Sequence, residues 1–181
     1  MKKLISGVLA ATMALSLAAC GSDAGSTASA SDGATSEASS DAGTIKLGGI
    51  GPVTGANAQY GTAVQNGEQL AVDEINAAAG YTVFQLDFED DESDSEKAVN
   101  AFNTLLDNGM QVLLGPVTSD PSISVAAECA SDNIFMLTPS ASSQDVVETG
   151  AGNAFQMCFT DPNQGKTAAD YIADNSLGTA I

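Results

Sequence analysis

From Ile45 onward the hydrophobic period changes repeatedly between two residues and three to four. Strand-like apolar runs fall at "IKLGGI" (45–50), "YTVFQLDF" (81–88), where Phe84, Leu86 and Phe88 share one side, "MQVLL" (110–114), "IFMLT" (134–138) and "AFQMCF" (154–159). Helical patterns lie between them. Ala63, Val64, Gly67, Leu70, Ala71 and Ile75 recur at three- and four-residue spacing, and Gly80 follows where a C-cap belongs. Ala98, Val99, Phe102, Leu105 and Leu106 form a second stripe, opened by Ser93 and Glu96 at capping-box spacing and stopped by Gly109. A third pattern runs from Pro121 to Ser131 with Ile123, Ala126, Ala127 and Ala130, and a fourth is "QGKTAADYIADN" (164–175). Such alternation predicts parallel strands joined by crossover helices, an α/β fold whose open sheet carries helices on both faces.

Charge removes several functions from consideration. The 181 residues hold 5 Lys plus Arg against 23 Asp plus Glu, a formal charge of -18. Phosphate contacts need a basic surface, so no nucleic-acid partner is expected. The chain has no His, hence neither the usual general base nor the commonest metal ligand, and an ordinary Ser-His-Asp or zinc hydrolase cannot be assembled. No catalytic residue, metal or cofactor is expected.

The N-terminal region reads as export and tethering. "MKKLISGVLAATMALSLAAC" has two lysines, a short apolar stretch and then small residues, the pattern of a secretory signal peptide, here assigned to 1–19. Its last four residues, Leu17-Ala18-Ala19-Cys20, resemble the bacterial lipobox. That resemblance implies that Cys20 receives a diacylglycerol and anchors the chain to a membrane outside the cytoplasm. The segment that follows, through Gly43, contains only Gly, Ser, Ala, Thr, Asp and Glu and has almost nothing to bury. Residues 20–43 are therefore expected to be a disordered tether, with a random-coil reach of roughly 25 Å. In an exported protein Cys129 and Cys158 could pair, but one lies in a helical pattern and the other in a strand-like one, which favours two buried free thiols.

In an open parallel sheet, ligands bind at the carboxyl ends of strands, where helix N-termini present unpaired N–H groups. One tetrapeptide occurs there twice, as Gly51-Pro52-Val53-Thr54 and as Gly115-Pro116-Val117-Thr118. "TPSASS" (138–143) follows a third strand. Loops rich in hydroxyls and amides but free of cations suit a small carboxylate held by a helix dipole. The alternative is that Ser119, Ser140 and Ser142 are plain N-caps and turn residues. "GGIGPVTG" is a weak match to a dinucleotide loop, because Pro52 interrupts it. The acidic run "EDDESDSE" (89–96) lacks the spacing of a calcium loop and reads better as a solvated, helix-capping turn.

The stretches "IKLGGIGPVTGANAQYGTAVQNGEQLAVDEINAAAG", "DDESDSEKAVNAFNTLLDNGMQVLLGPVTS" and "FMLTPSASS" resemble the N-terminal lobe of the periplasmic leucine/isoleucine/valine-binding proteins, the amino-acid receptors of ABC importers. The resemblance implies an N-terminal lobe over 44–160, with 161–181 a crossover and the start of a second lobe that this chain does not complete. It also implies roles. Ser119 matches the serine whose hydroxyl binds an α-carboxylate, and Ser142 a residue whose N–H joins that carboxylate and whose hydroxyl meets the ammonium. Ser140 matches a carbonyl acceptor for the ammonium and stands next to Ala141 in the same ligand-binding turn. Tyr60, Val117 and Thr118 match the wall of the side-chain pocket. Leucine-type receptors carry a disulfide where this chain has Ser93 and Thr118, so that bridge is absent. The implied function is a lipid-anchored solute-binding protein that captures a small amino acid, branched-chain by family, and delivers it to an ABC permease without catalysis. A sensor domain of the same fold, or a receptor for an amide or short organic acid, are the alternatives. A serine hydrolase using Ser119 is disfavoured by the missing His and the missing GxSxG elbow.

Overall fold

The computed structural model describes residues 43–177. The expected signal peptide, Cys20 and nearly all of the tether lie outside the described residues, as do Gly178 to Ile181. Ten elements follow in order: β1 (Ile45–Gly51), α1 (Ala58–Ala79), β2 (Phe84–Asp90), α2 (Ser95–Asp107), β3 (Val112–Leu114), α3 (Ser119–Asp132), β4 (Phe135–Thr138), α4 (Asp145–Thr149), β5 (Ala154–Gln156) and α5 (Asp161–Asp174). The strands form one sheet in the order β2-β1-β3-β4-β5, every pair parallel. The alternation in the sequence thus becomes the open parallel sheet it predicts.

The two faces of that sheet are filled unequally. Side chains alternate along a strand, so Ile50, Leu113 and Met136 point to one face, where Phe102 and Leu105 of α2, Val125, Ala126 and Cys129 of α3, and Val146 of α4 complete a closed core. On the opposite face α1 packs only against β1 and β2. Phe135 and Phe155 stack there at 5.2 Å, yet stay 44% and 46% exposed, because no described helix covers β4 and β5 on that side. Helices therefore occupy both faces, one of them only in part.

Several boundaries differ from the sequence reading for local reasons. The cap of α2 is Asp94, whose carboxylate accepts from Lys97 N at 2.9 Å, rather than Ser93, whose φ of 61° puts it in the turn before the helix. The acidic run is only partly solvated, since Asp91 is fully buried and burial pushes its carboxyl upward. In α1 the buried residues are Gly61 and Val72, while Leu70 is 59% exposed; the stripe that faces the sheet is rotated from the expected one and keeps Gly67, Ala71 and Ile75 along its edge. The short helix α4 was not expected, its five residues being too few to show a period. Thr160 begins α5 by accepting from Asn163 N, ahead of the expected start, and every residue of that helix is exposed. Cys129 and Cys158 are both free, the first buried and the second half-buried. Burial, with Asp132 and Glu128 nearby, pushes the Cys129 thiol up to about 12.

Candidate functional site

The strand order reverses between β1 and β3: β2 lies to one side of β1 and β4 and β5 lie beyond β3. A crevice outside the carboxyl ends of the strands forms at such a switch point. The two copies of the tetrapeptide are the loops that leave β1 and β3, so they flank that crevice.

Each loop is held differently. In the first, Val53 N and Thr54 N donate to Asp90 Oδ1 at 2.9 and 3.4 Å, and the Thr54 hydroxyl donates to Oδ2. Asp90 can do this because it ends β2 in register with Gly51 at the end of β1. Burial alone would raise the Asp90 carboxyl; the donors from Thr54, Glu92 and Val53 outweigh it and hold the group below the usual carboxylate range. The first turn of α1 lies so close that a Cβ on Gly61 would run into the Pro52 carbonyl. In the second loop the Pro116 carbonyl is the anchor, accepting from Ser122 Oγ at 2.9 Å and from Thr138 Oγ1 at 2.6 Å, both from fully buried residues. Gly115, at φ 107°, lies against the Ile50 carbonyl, where any Cβ would collide.

This second anchor aims α3. Thr118 is its N-cap in an extended conformation, but its side chain makes no cap bond, and Pro121 at the third helical position has no N–H to offer. The N–H groups of Ser119 and Asp120 have no intrahelical acceptor, so the positive end of α3 faces the crevice. The Ser119 hydroxyl accepts from Ser143 N at 3.4 Å and keeps its own proton to donate. The Ser140 hydroxyl donates to the Val117 carbonyl at 2.7 Å, which fastens the third loop to the second.

Asn57, Tyr60, Val117, Thr118, Ser119 and Ser140 line one pocket of about 290 Å³, and none of them is charged. Five of the residues singled out from the sequence, Tyr60, Val117, Thr118, Ser119 and Ser140, therefore meet around one space. Ala141 and Ser142 do not line it. Ala141 is buried, its N–H donates to Thr138 Oγ1 at 3.1 Å, and its carbonyl accepts from Gln156 Nε2 and Cys158 Sγ, so it shapes the turn and has no free group. The half-buried Ser142 accepts from Asp161 N through its carbonyl.

Sequence reasoning missed Asn57 and Asp90. Asn57 lines the pocket and donates through Nδ2 to Ser93 Oγ at 3.0 Å, a polar tie between the first loop and the turn after β2. Opposite, Thr118 Oγ1 is buried without a partner. Among the described residues no group of three or more His, Cys, Asp or Glu side chains is arranged to hold a metal.

Residues 44–181 match a family model described as Periplasmic binding protein. The Leu/Ile/Val-binding protein BraC3 of Rhizobium johnstonii is 37% identical over 133 residues, 72% of this chain and 36% of that protein. The leucine-, isoleucine-, valine-, threonine-, and alanine-binding protein of Pseudomonas aeruginosa is 33% identical over 74% of this chain and 36% of its own length. Among solved structures, the branched-chain amino acid transporter substrate binding protein LivJ from Streptococcus pneumoniae, in complex with isoleucine, superposes with a TM-score of 0.65 at 31% identity, over 72% of this chain and 38% of that one. A solute binding protein of an ABC transporter from Rhodopseudomonas palustris, in complex with 3,4-dihydroxy benzoic acid, shares the fold at 19% identity and a TM-score of 0.66, over 73% and 36% of the two chains. The chain thus spans little more than a third of the length of the curated relatives it matches.

Proposed function

Since the chain belongs to the periplasmic binding protein family, we propose that it supplies one lobe of an extracytoplasmic solute-binding protein that captures a small amino acid for an ABC permease. The single observation that carries this reading is the convergence of Tyr60, Thr118, Ser119 and Ser140 on one uncharged pocket at the N-terminus of α3. A zwitterion fits that chemistry. Its carboxylate would meet the Ser119 hydroxyl and the free amides of α3, together with the N–H of Ser142, where the helix dipole favours negative charge. Its ammonium would meet the Ser140 carbonyl and the Ser142 hydroxyl, and its side chain would lie along Tyr60, Val117 and Thr118. In this proposal Ala141 keeps the turn in shape without touching the ligand.

The same reading divides the chain into a signal peptide (1–19), a tether beginning at a lipidated Cys20 (20–43), the lobe (44–160) and a crossover (161–181), and it makes the protein a binder and not an enzyme. The branched-chain preference is taken from relatives named for leucine, isoleucine and valine. A second reading, a short carboxylic acid or amide as ligand, is favoured by the hydroxyls of Thr118 and Ser119 and the amide of Asn57 in the pocket wall.

Amide chemical-shift mapping tests the proposal on this chain. Isoleucine at millimolar concentration should move the signals of Ser119, Asp120 and Ser142 in a saturable way, and the Ser119→Ala variant should lose the effect. Shifts produced by acetate or a short amide but not by isoleucine would move the assignment to the second reading. Shifts scattered away from the pocket would sink both.

A further inference from the structure

A second cavity, more voluminous than the candidate site, lies elsewhere. A groove of about 420 Å³ runs between α1 and the partly covered sheet face, walled by Gly67, Ala71, Val72 and Ile75 and floored by Leu47, Leu114 and Leu137. One ionisable group stands in this apolar wall. Glu68 Oε2 is buried without a hydrogen-bond partner, and it lies over Gly49 so closely that a Cβ there would be 2.9 Å from it. Among the described residues nothing charged faces it. β1 presents Leu47 and Gly49, β2 presents Phe84 and Phe88, β3 Leu114 and β4 Leu137, while Pro139 and Met157 close the far side. The charged residues of those strands are engaged elsewhere or alternate to the other face: Lys46 Nζ donates to the Asn108 carbonyl, Asp90 holds the first loop, and Asp87 and Glu89 are out of phase with Phe84 and Phe88. On α1 itself Asp73 and Glu74 are exposed.

We propose that Glu68 is a proton-operated latch on α1: while its carboxyl keeps the proton the helix lies against the sheet, and release of that proton to solvent loosens the helix. An ionised carboxylate in this wall would have neither donor nor cation to compensate its lost hydration, so the anion is relieved only if water enters between α1 and the sheet. The direction of titration agrees, since burial pushes the Glu68 carboxyl up to about 8. A carboxyl raised on folding contributes stability that is complete below its unfolded value and is lost as pH rises toward that folded value. The same helix begins beside Asn57 and carries Tyr60 in its first turn, so loosening it would displace one side of the pocket; this last consequence rests on the function proposed above.

The test needs no ligand and therefore stands or falls apart from that function. Thermal midpoints of the 181-residue chain and of Glu68→Gln are compared at about pH 5 and about pH 9. The expected result is a gap that opens with pH, the variant gaining several degrees on the wild type at the alkaline end. Hydrogen exchange adds the location: protection of α1 amides should fall relative to those of α2 in the wild type and hold in the variant. Should Glu68→Gln not fold, a carbon-detected titration of the Glu68 carboxyl in the wild type decides. A midpoint in the ordinary carboxylate range, or a wild type to variant gap that is the same at both pH values, overturns the proposal.

Discussion

The loops at 51–54 and 115–118 share four letters, yet they are built on opposite principles. The first offers two amides and a hydroxyl to one carboxylate, Asp90, at the rim of the sheet. The second offers one carbonyl, that of Pro116, to two buried hydroxyls, Ser122 and Thr138. An identical peptide thus acts as donor in one place and as acceptor in the other, and what decides is the residue that the adjoining strand or helix brings to it. Charge holds the exposed loop and neutral hydrogen bonds hold the buried one, as the cost of burying an unpaired charge requires.

The sharpest way to break this comparison is at Gly115. Gly115→Ala places a Cβ against the Ile50 carbonyl at a φ that L residues avoid, so a loss of about 3 kcal/mol in chemical denaturation is expected. A far smaller cost would mean that the second loop can shift, and that its buried anchor is not what fixes it. Next comes Thr138→Val, which removes the hydroxyl bonded to both the Pro116 carbonyl and Ala141 N; Ser122 still donates to that carbonyl, but the buried Ala141 N–H loses its partner, which should cost roughly 2 kcal/mol. Asp90→Ala should cost about 1 kcal/mol, because the freed amides of the first loop can turn to water. The smallest stability effect is expected for Ser119→Ala, within about 0.5 kcal/mol, although the proposed ligand shifts should vanish.

Acid separates the loops without mutation. Asp90 is held below its ordinary range in the folded chain, so its contribution is present above the usual carboxylate value and is lost as pH falls through the lowered one. Amide exchange at Val53 and Thr54 should therefore quicken in acid relative to Gly115, whose N–H donates to the Leu137 carbonyl, an acceptor that does not titrate. Equal behaviour of the two loops would remove the distinction.

Much of this arrangement is legible in the sequence, and the rest is hidden for physical reasons. Alternating periods announce the parallel sheet, because each crossover helix must bury a stripe and each strand a run. The repeated tetrapeptide marks two strand ends, but chain order does not say that β1 and β3 are adjacent; that follows from the order β2-β1-β3-β4-β5 and puts both loops at one crevice. Asp90 looks like one member of an acidic run, and only its register with Gly51 distinguishes it from Asp91, one residue later, which is buried. Ser93 fits a capping box by spacing, yet Asp94 caps more directly because Ser93 is spent on the turn and on Asn57. The phase of α1 departs from its apolar pattern because its close approaches are those of Gly61 to the Pro52 backbone in the first loop and of Glu68 to Gly49 of β1, residues a hydrophobicity pattern passes over. Ser119 and Ser140 are within reach of sequence because each lies in or just past the loop at a strand's carboxyl end, whereas the inward turn of Ala141 depends on hydrogen bonds from residues as distant as Gln156 and Cys158.

The two thiols among the described residues offer a practical handle on the third loop. Cys129 is sealed in the core with its proton held tightly, whereas the half-buried Cys158 leans on the carbonyl of Ala141 at 3.2 Å. With Cys20 replaced by serine, a fluorophore attached to Cys158 would thus ride on the strut behind the 139–143 turn and serve as an optical reporter of its movement, leaving every residue that lines the pocket native.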